Sequence, residues 1–230
     1  MRTYLFTSLS GIIATLFLSA HAVQVGDITI DPNDFAENQD TSTRIASCIR
    51  CHGKHAGGDR DFGKGATYGT PALQGLSSSY IAASLDAYKS GKRQHMEMSA
   101  IAVLLDDETI QFMADTFAAY AVPANKAPSA LAQLRAQDIQ FKQGEIIATK
   151  GIAQQNVTAC ATCHGQHGEG NPYLGPRLAG QNSLYIASQI KHYAQGSRDT
   201  KQAKTMQVIA VKLTRADIQA VAHYYESLVD

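Results

Sequence analysis

Every cysteine in this 230-residue chain falls inside one short pattern that occurs twice. Cys48 and Cys51 stand in "CIRCH" ahead of His52, and Cys160 and Cys163 stand in "CATCH" ahead of His164. CxxCH is the spacing of c-type haem attachment. Two thiols can add across the haem's two vinyl groups only if the chain between them spans the ring edge, and the histidine that follows then reaches the iron from the same side. Each motif therefore predicts one covalently bound haem c and its proximal ligand, His52 in the first case and His164 in the second.

Other uses of four cysteines fit less well. An exported chain would ordinarily pair them as disulfides, but that leaves the identical placement of the two histidines unexplained. A zinc site built from two CxxC pairs leaves it equally unexplained. A thioredoxin-like redox pair needs a neighbouring βαβ pattern, and none is visible.

Export itself is legible at the start of the chain. Arg2, the apolar run "LSGIIATLFLSA" and the small residues Ala20 and Ala22 around His21 read as a signal peptide over residues 1–22. Its alternative, an uncleaved membrane anchor, suits the sequence less, because the run is short for a bilayer and interrupted by Ser and Thr. The expected location is the periplasm. With 44% apolar and 17% charged residues over all 230 positions, the chain reads as folded and soluble. Residues 23 to 122 carry 8 basic and 13 acidic side chains, and residues 123 to 230 carry 11 and 7, so the halves stand at −5 and +4. Neither half has the basic cluster of a nucleic-acid binder. The acidic leader "VGDITIDPNDFAENQD" reads as a mobile terminus, with a docking arm as the alternative.

The halves are copies of one another. From the first motif to the second the offset is 112 residues, whereas Pro71/Pro176, Gly75/Gly180, Tyr80/Tyr185, Tyr88/Tyr193 and Gly91/Gly196 pair at 105, and Met98/Met206 and Ile110/Ile218 pair at 108. Two loop-length changes account for the three offsets. Each unit predicts a helix opened by Ser or Asn and closed at Gly91 or Gly196, then a last helix starting at Asp106 or Thr214, where Thr214 and Asp217 form a capping box. An opening helix is expected over Asp138 to Thr149; its counterpart in "DFAENQDTSTRIAS" is more polar. The expected organisation is all-α: a unit over 23–122, a linker over 123–137 containing "PANKAPSA", and a second unit over 138–230. Units this small build limited cores of their own, and a haem completes each. Glycine-rich chain after the histidine, as in "GQHGEGNPYLGP", suits close approach to the ring.

Opposite the proximal histidines, the second unit offers one methionine, Met206. In the first, His95, Met96 and Met98 compete, and the repeat selects Met98, because "MSAIA" and "MQVIA" share the following Ile-Ala. Met113 falls on a helix stripe and is read as core. A His/Met pair raises the reduction potential and leaves no open iron position. The carbonyls of Pro71 and Pro176 are expected to accept the other imidazole nitrogen and hold its tautomer. His55, His167, His192 and His223, with no matched counterparts, are read as surface groups.

From about Ser42 onward, "CATCHGQHGEGNPYLGPRLAGQ", "YAQGSRD" and "MQVIAVKLTRADIQAVAHYY", with the two CxxCH motifs and the two Pro-containing loops, resemble the dihaem cytochrome c4 family. The first half departs from it in the longer loop "GKHAGGDRDFGKGATYGTP" and in "HMEMSAIA". The resemblance implies a tandem duplication of two class I cytochrome c domains with haem edges approaching at their interface. It further implies periplasmic electron transfer with redox protein partners, such as a terminal oxidase or a quinol-oxidising complex, through which it can associate with the membrane. Two alternatives remain: an electron-transfer subunit bound to a dehydrogenase, and a dihaem peroxidase-like enzyme, whose chemistry would sit at the first unit's ambiguous methionine segment.

Overall fold

The structure is a computed structural model that describes residues 22–25, 28–58, 69–122 and 138–228. The leader expected at 1–22, save its last residue, and the linker expected at 123–137 lie outside them, as does much of the long loop after His52.

Two helical clusters make up the described residues. The first contains α1 (Thr41–His52), α2 (Ser78–Lys89), α3 (Met96–Ala102) and α4 (Asp107–Ala118). The second contains α5 (Ile139–Lys150), the single turn α6 (Ala161–His164), α7 (Ser183–Ala194), α8 (Ala203–Ala210) and α9 (Arg215–Glu226). Shifted by 105 and 108, α2 and α4 coincide with α7 and α9 residue for residue.

Local chemistry explains that agreement. A helix leaves its first N–H groups without partners, and a side-chain oxygen just before it supplies one. Asp106 Oδ1 accepts the Thr109 N–H at 2.7 Å, Asn182 Oδ1 accepts the Tyr185 N–H at 2.8 Å, and Asp138 Oδ1 accepts the Gln140 N–H at 2.8 Å. Thr214 and Asp217 close the expected capping box, each side chain taking the other's backbone N–H. Gly91 and Gly196, just past the ends of α2 and α7, take φ of 72° and 73°, where a side chain would be strained.

The opening of the first unit departs from expectation. Residues Val23–Val25 and Ile28–Ile30 form an antiparallel hairpin, β1 and β2, followed by a 3₁₀ turn over Pro32–Phe35. Ile30 is 1% exposed and Phe35 3%, and both belong to the core cluster that holds Met113 and Phe117. The described residues of the acidic segment "VGDITIDPNDFAENQD" are thus a folded part of the first unit, not a mobile terminus, tied down where Ile30 and Phe35 enter its core. Downstream, α1 runs through the first CxxCH, whereas the second sits on the one-turn α6.

Contacts between the two clusters are specific. Gln181 of the second acts as a strand would, its Nε2 donating to Ala72 O and its Oε1 accepting from Ala72 N, both at 2.9 Å. Arg93 and Arg198 pair as an antiparallel bridge, and Asp199 N donates to Lys92 O at 2.7 Å.

Candidate functional site

The two motifs build one geometry from different local structures. His52 is the last residue of α1 and His164 the last of α6, and both rings are buried. The next residue, Gly53 or Gly165, has φ of 81° or 86° and turns the chain sharply out of the helix. That turn brings a proline carbonyl back over each imidazole: His52 Nδ1 lies 2.8 Å from Pro71 O, and His164 Nδ1 lies 2.7 Å from Pro176 O. A carbonyl only accepts, so Nδ1 carries the hydrogen and donates, leaving Nε2 bare. Burial lowers the pKa of both histidines, with the proline carbonyl opposing it, so each ring is held neutral. A neutral imidazole with a fixed tautomer is what a metal ligand requires.

Glycine serves this closure directly. A Cβ on Gly175 would sit 2.9 Å from both Cε1 and Nδ1 of His164, and one on Gly58 would sit 2.5 Å from Thr70 O and 2.6 Å from Pro71 C. The close approach expected after the histidines is therefore made to the imidazole and to the proline loop.

All four cysteines are free and half-buried. Burial pushes the Cys48 thiol up to about 12 and the Cys160 thiol up to about 11, so neither is drawn toward thiolate. Among the described residues no three His, Cys, Asp or Glu side chains are arranged to hold a metal ion, and a zinc site lacks its donor set. A haem asks less of the chain: two thiols, one imidazole nitrogen and partners for its carboxylates. Nε and Nη2 of Arg44, one turn before Cys48, and Nη2 of Arg177, beside Pro176, are buried donors without a hydrogen-bond partner. The residues present fit the group.

Methionines lie on short helices rather than loops. Met98 is the third residue of α3 and Met206 the fourth of α8, and both are half-buried. Met96 is 83% exposed. His95 is exposed, with Nδ1 3.1 Å from Glu97 Oε2. Met113 is core. Of the unmatched histidines, His55 and His167 are exposed, while His192 and His223 are half-buried, His192 Nδ1 lying 2.8 Å from Ser197 Oγ.

Arg93 and Arg198 escaped the sequence reading, although they stand at the same offset of 105 as the tyrosines around them. Each stacks its guanidinium on a tyrosine of its own unit, Arg93 on Tyr88 and Arg198 on Tyr193, both at 4.4 Å from the ring centre.

Comparison with known proteins agrees with this construction. The family model for cytochrome c matches residues 148–228. The "Thiosulfate dehydrogenase electron acceptor" of Thiomonas intermedia is 34% identical over 179 residues, 78% of this chain and 77% of that protein. Cytochrome c4 of Pseudomonas aeruginosa is 29% identical over 187 residues, 80% of this chain and 85% of that one. The solved cytochrome c4 of Acidithiobacillus ferrooxidans is 32% identical, covers 80% of this chain and 99% of its own, and superposes with a TM-score of 0.64. Both cysteine pairs fall to covalently bound haem c, and the helical duplication is that of two class I cytochrome c domains. With its attachment chemistry, its repeated fold and its similarity along four fifths of its length in accord, the chain belongs to the dihaem cytochrome c4 family of electron-transfer proteins.

Proposed function

We propose that this chain is a periplasmic electron carrier in which His52 and Met98 bind one iron and His164 and Met206 the other, after removal of the leader 1–22. When bound, each haem supplies an iron that cycles between ferrous and ferric states. The chain's own residues decide that only electrons pass. Each Nδ1–H held by a proline carbonyl keeps the imidazole in one orientation and makes Nε2 a better donor. A thioether from Met98 or Met206, as the second protein ligand, would favour the reduced state and would close the iron to oxygen and peroxide.

The single observation that carries this reading is the matched imidazole geometry, 2.8 and 2.7 Å to Pro71 O and Pro176 O, reached from the twelve-residue α1 in one unit and the single turn α6 in the other. The half-burial of Met98 against the exposure of Met96 and His95 supports Met98 as the first unit's thioether. The proposed organisation is a first domain over 23–122 and a second over 138–230, joined by 123–137. Among the described residues no helix is long and apolar enough to cross a membrane, which is compatible with association through partners. The relatives' name supports a donor of the thiosulfate dehydrogenase kind, with a terminal oxidase or a quinol-oxidising complex as the other redox partner.

Absorption spectra of both redox states, with carbon monoxide added to the reduced protein, test the ligand set. Two closed irons should leave the spectrum unchanged by the gas. Met206→Ala should lower one haem's potential and let that haem bind carbon monoxide, and Met98→Ala should do the same at the other while Met96→Ala does neither. Carbon monoxide binding by the unmodified protein would transfer the first unit to the enzyme reading. Rapid mixing with thiosulfate and a thiosulfate dehydrogenase tests the donor: reduction no faster than without the enzyme removes that assignment.

A further inference from the structure

The two methionine helices are fixed by different means. α8 is tied by side chains of its own unit: Gln207 Nε2, one residue after Met206, donates to Arg198 O at 2.7 Å, Thr200 Oγ1 accepts the Ala203 N–H at 3.1 Å, and Lys204 pairs with Asp199. At the offset of 108, the residue matching Gln207 is Ser99 and the one matching Lys204 is the exposed, uncharged Met96. The Ser99 hydroxyl is too short for the reach of a glutamine amide, and it accepts the His95 N–H at 3.2 Å, at the start of its own helix. Among the described residues, α3 thus has neither of these two tethers.

Another element lies against it. The strand Val23–Val25 packs on α3, and its register sets Val23 opposite Ile30. Ile30 in turn is buried in the cluster that includes Leu105 and, at its edge, Ile101 and Leu104. Ile101 stands three residues after Met98, so the two are neighbours on one side of α3. A helix of seven residues does not persist on its own propensity, and a two-stranded hairpin alone in water is equally marginal. Each is ordered by what it packs against. Ile30 anchors β2 in the core, Thr29 Oγ1 donates to Gln24 Oε1 at 2.8 Å across the hairpin, and β1 is thereby laid on the helix that carries Met98.

We propose that the strand Val23–Val25 is a positioning strap for Met98, holding α3 in the first unit as the Gln207 side chain holds α8 in the second, so that each thioether stays at its iron. The inference rests on Met98 and Met206 as the axial thioethers. The groups packed behind a ligand set its orientation and hold it in place. A weakly held segment opens at less cost than the whole domain unfolds, so freeing α3 releases the sulfur while the rest of the unit keeps its fold.

Spectra of the ferric dihaem protein test it, through the sulfur-to-iron charge-transfer band that a bound thioether gives. In a Met206→Ala background that band reports the first haem alone. A background without the band rejects Met98 as the ligand and the strap with it. With the band present, the strand is removed by Val23→Gly, Gln24→Gly and Val25→Gly together, which leave Ile30 and Phe35 in place. Imidazole should then displace the thioether at lower concentration than in the background protein, the first haem's potential should fall, and the band should be lost on warming while circular dichroism still shows intact helices. In a Met98→Ala background, Gln207→Ala should weaken the second haem's band in the same way, and the three glycines should leave it unmoved. Equal imidazole concentrations with and without the strand overturn the proposal. Band and helices lost at one temperature overturn it too, because a strand that merely stabilised the whole unit would give that result. Should the glycine variant fail to accumulate with two haems, hydrogen exchange of the unaltered protein decides: the amides of α3 should open together with those of β1, and α3 opening only with α4 overturns the strap.

Discussion

The two units cover their last helices by different means. In the second, α5 lies along α9, and it can do so because Gly144 has no side chain: a Cβ there would stand 2.2 Å from Ala220 O and 2.8 Å from Tyr224 Cβ. Phe141 then stacks against Tyr224, ring centres 5.3 Å apart, and Tyr224 against Tyr225 at 5.2 Å. Carried back by the motif offset of 112, α5 would fall on residues 27–38 of the first unit. Among the described residues no α-helix lies there. β2 and the 3₁₀ turn occupy it instead, and Ile30 and Phe35 enter the cluster around Met113, Ala114 and Phe117. The lesson is that the duplication preserves the two long helices after the motif and the proline carbonyl on each imidazole, and frees the chain that leads into them. "DITIDPNDF" has β-branched residues and a proline where "IQFKQGEIIATK" has helix formers, and either can supply apolar side chains to the last helix.

The comparison breaks most sharply at Phe35. Phe35→Ala removes a large ring from a nearly water-free site and should cost the first unit about 3–5 kcal/mol. Heating the dihaem protein while sampling it by limited proteolysis should show the first unit cut at lower temperature, with the second unit's fragment surviving as before. Equal loss of both units would mean that the hairpin and turn do not serve the first unit separately.

Gly144→Ala attacks the other side. Alanine favours a helix over glycine by about 1 kcal/mol, but the new methyl meets a backbone carbonyl, which cannot swing aside as a flexible side chain could. Overpacking of about 1–3 kcal/mol, at its upper end here, outweighs the propensity gain. Net destabilisation should be about 1–2 kcal/mol, confined to the second unit in the same proteolysis assay. A stabilised variant would show that α5 and α9 can separate freely.

How much of this was open to a reader of the sequence alone depends on where the controlling contacts lie. The haem motifs are legible because their chemistry demands neighbouring residues, and Ser77, Asn182, Asp106 and Thr214 mark helix starts because a cap acts within three residues of itself. The acidic segment after residue 22 was not, since strands of three residues are too short to display an alternating pattern, and the core that Ile30 and Phe35 join is made of residues 45 to 117. Arg93 and Arg198 were invisible for the same reason. Their partners stand between 92 and 118 positions away in the other unit, and only the pairing of two arginines at the repeat offset hinted at a joint role.

Acid should separate the units by the smallest margin. In the first, α1 and α4 are capped by carboxylates. Hydrogen bonds from Ser42 and Thr43 bring Asp40 down to about 2, and those from Thr109 hold Asp106 below the usual carboxylate range. In the second, α7 begins at the neutral Asn182, whereas α5 begins at Asp138 and the α9 capping box includes Asp217, so the comparison is confined to the Asp40 and Asp106 caps. A carboxylate whose pKa is depressed by folding stabilises fully above its unfolded value, about 4, and loses that contribution as pH falls through its folded value. For Asp40 the window therefore runs from about 4 to about 2. Asn is as good a cap as Asp but does not titrate. The Asp40→Asn, Asp106→Asn protein should match or fall slightly below the parent in unfolding temperature at neutral pH and gain on it through that window, with the gain appearing in the first unit's proteolytic fragment. A difference that stays constant from neutral pH to 2 would show that these caps hold their helices without their charge.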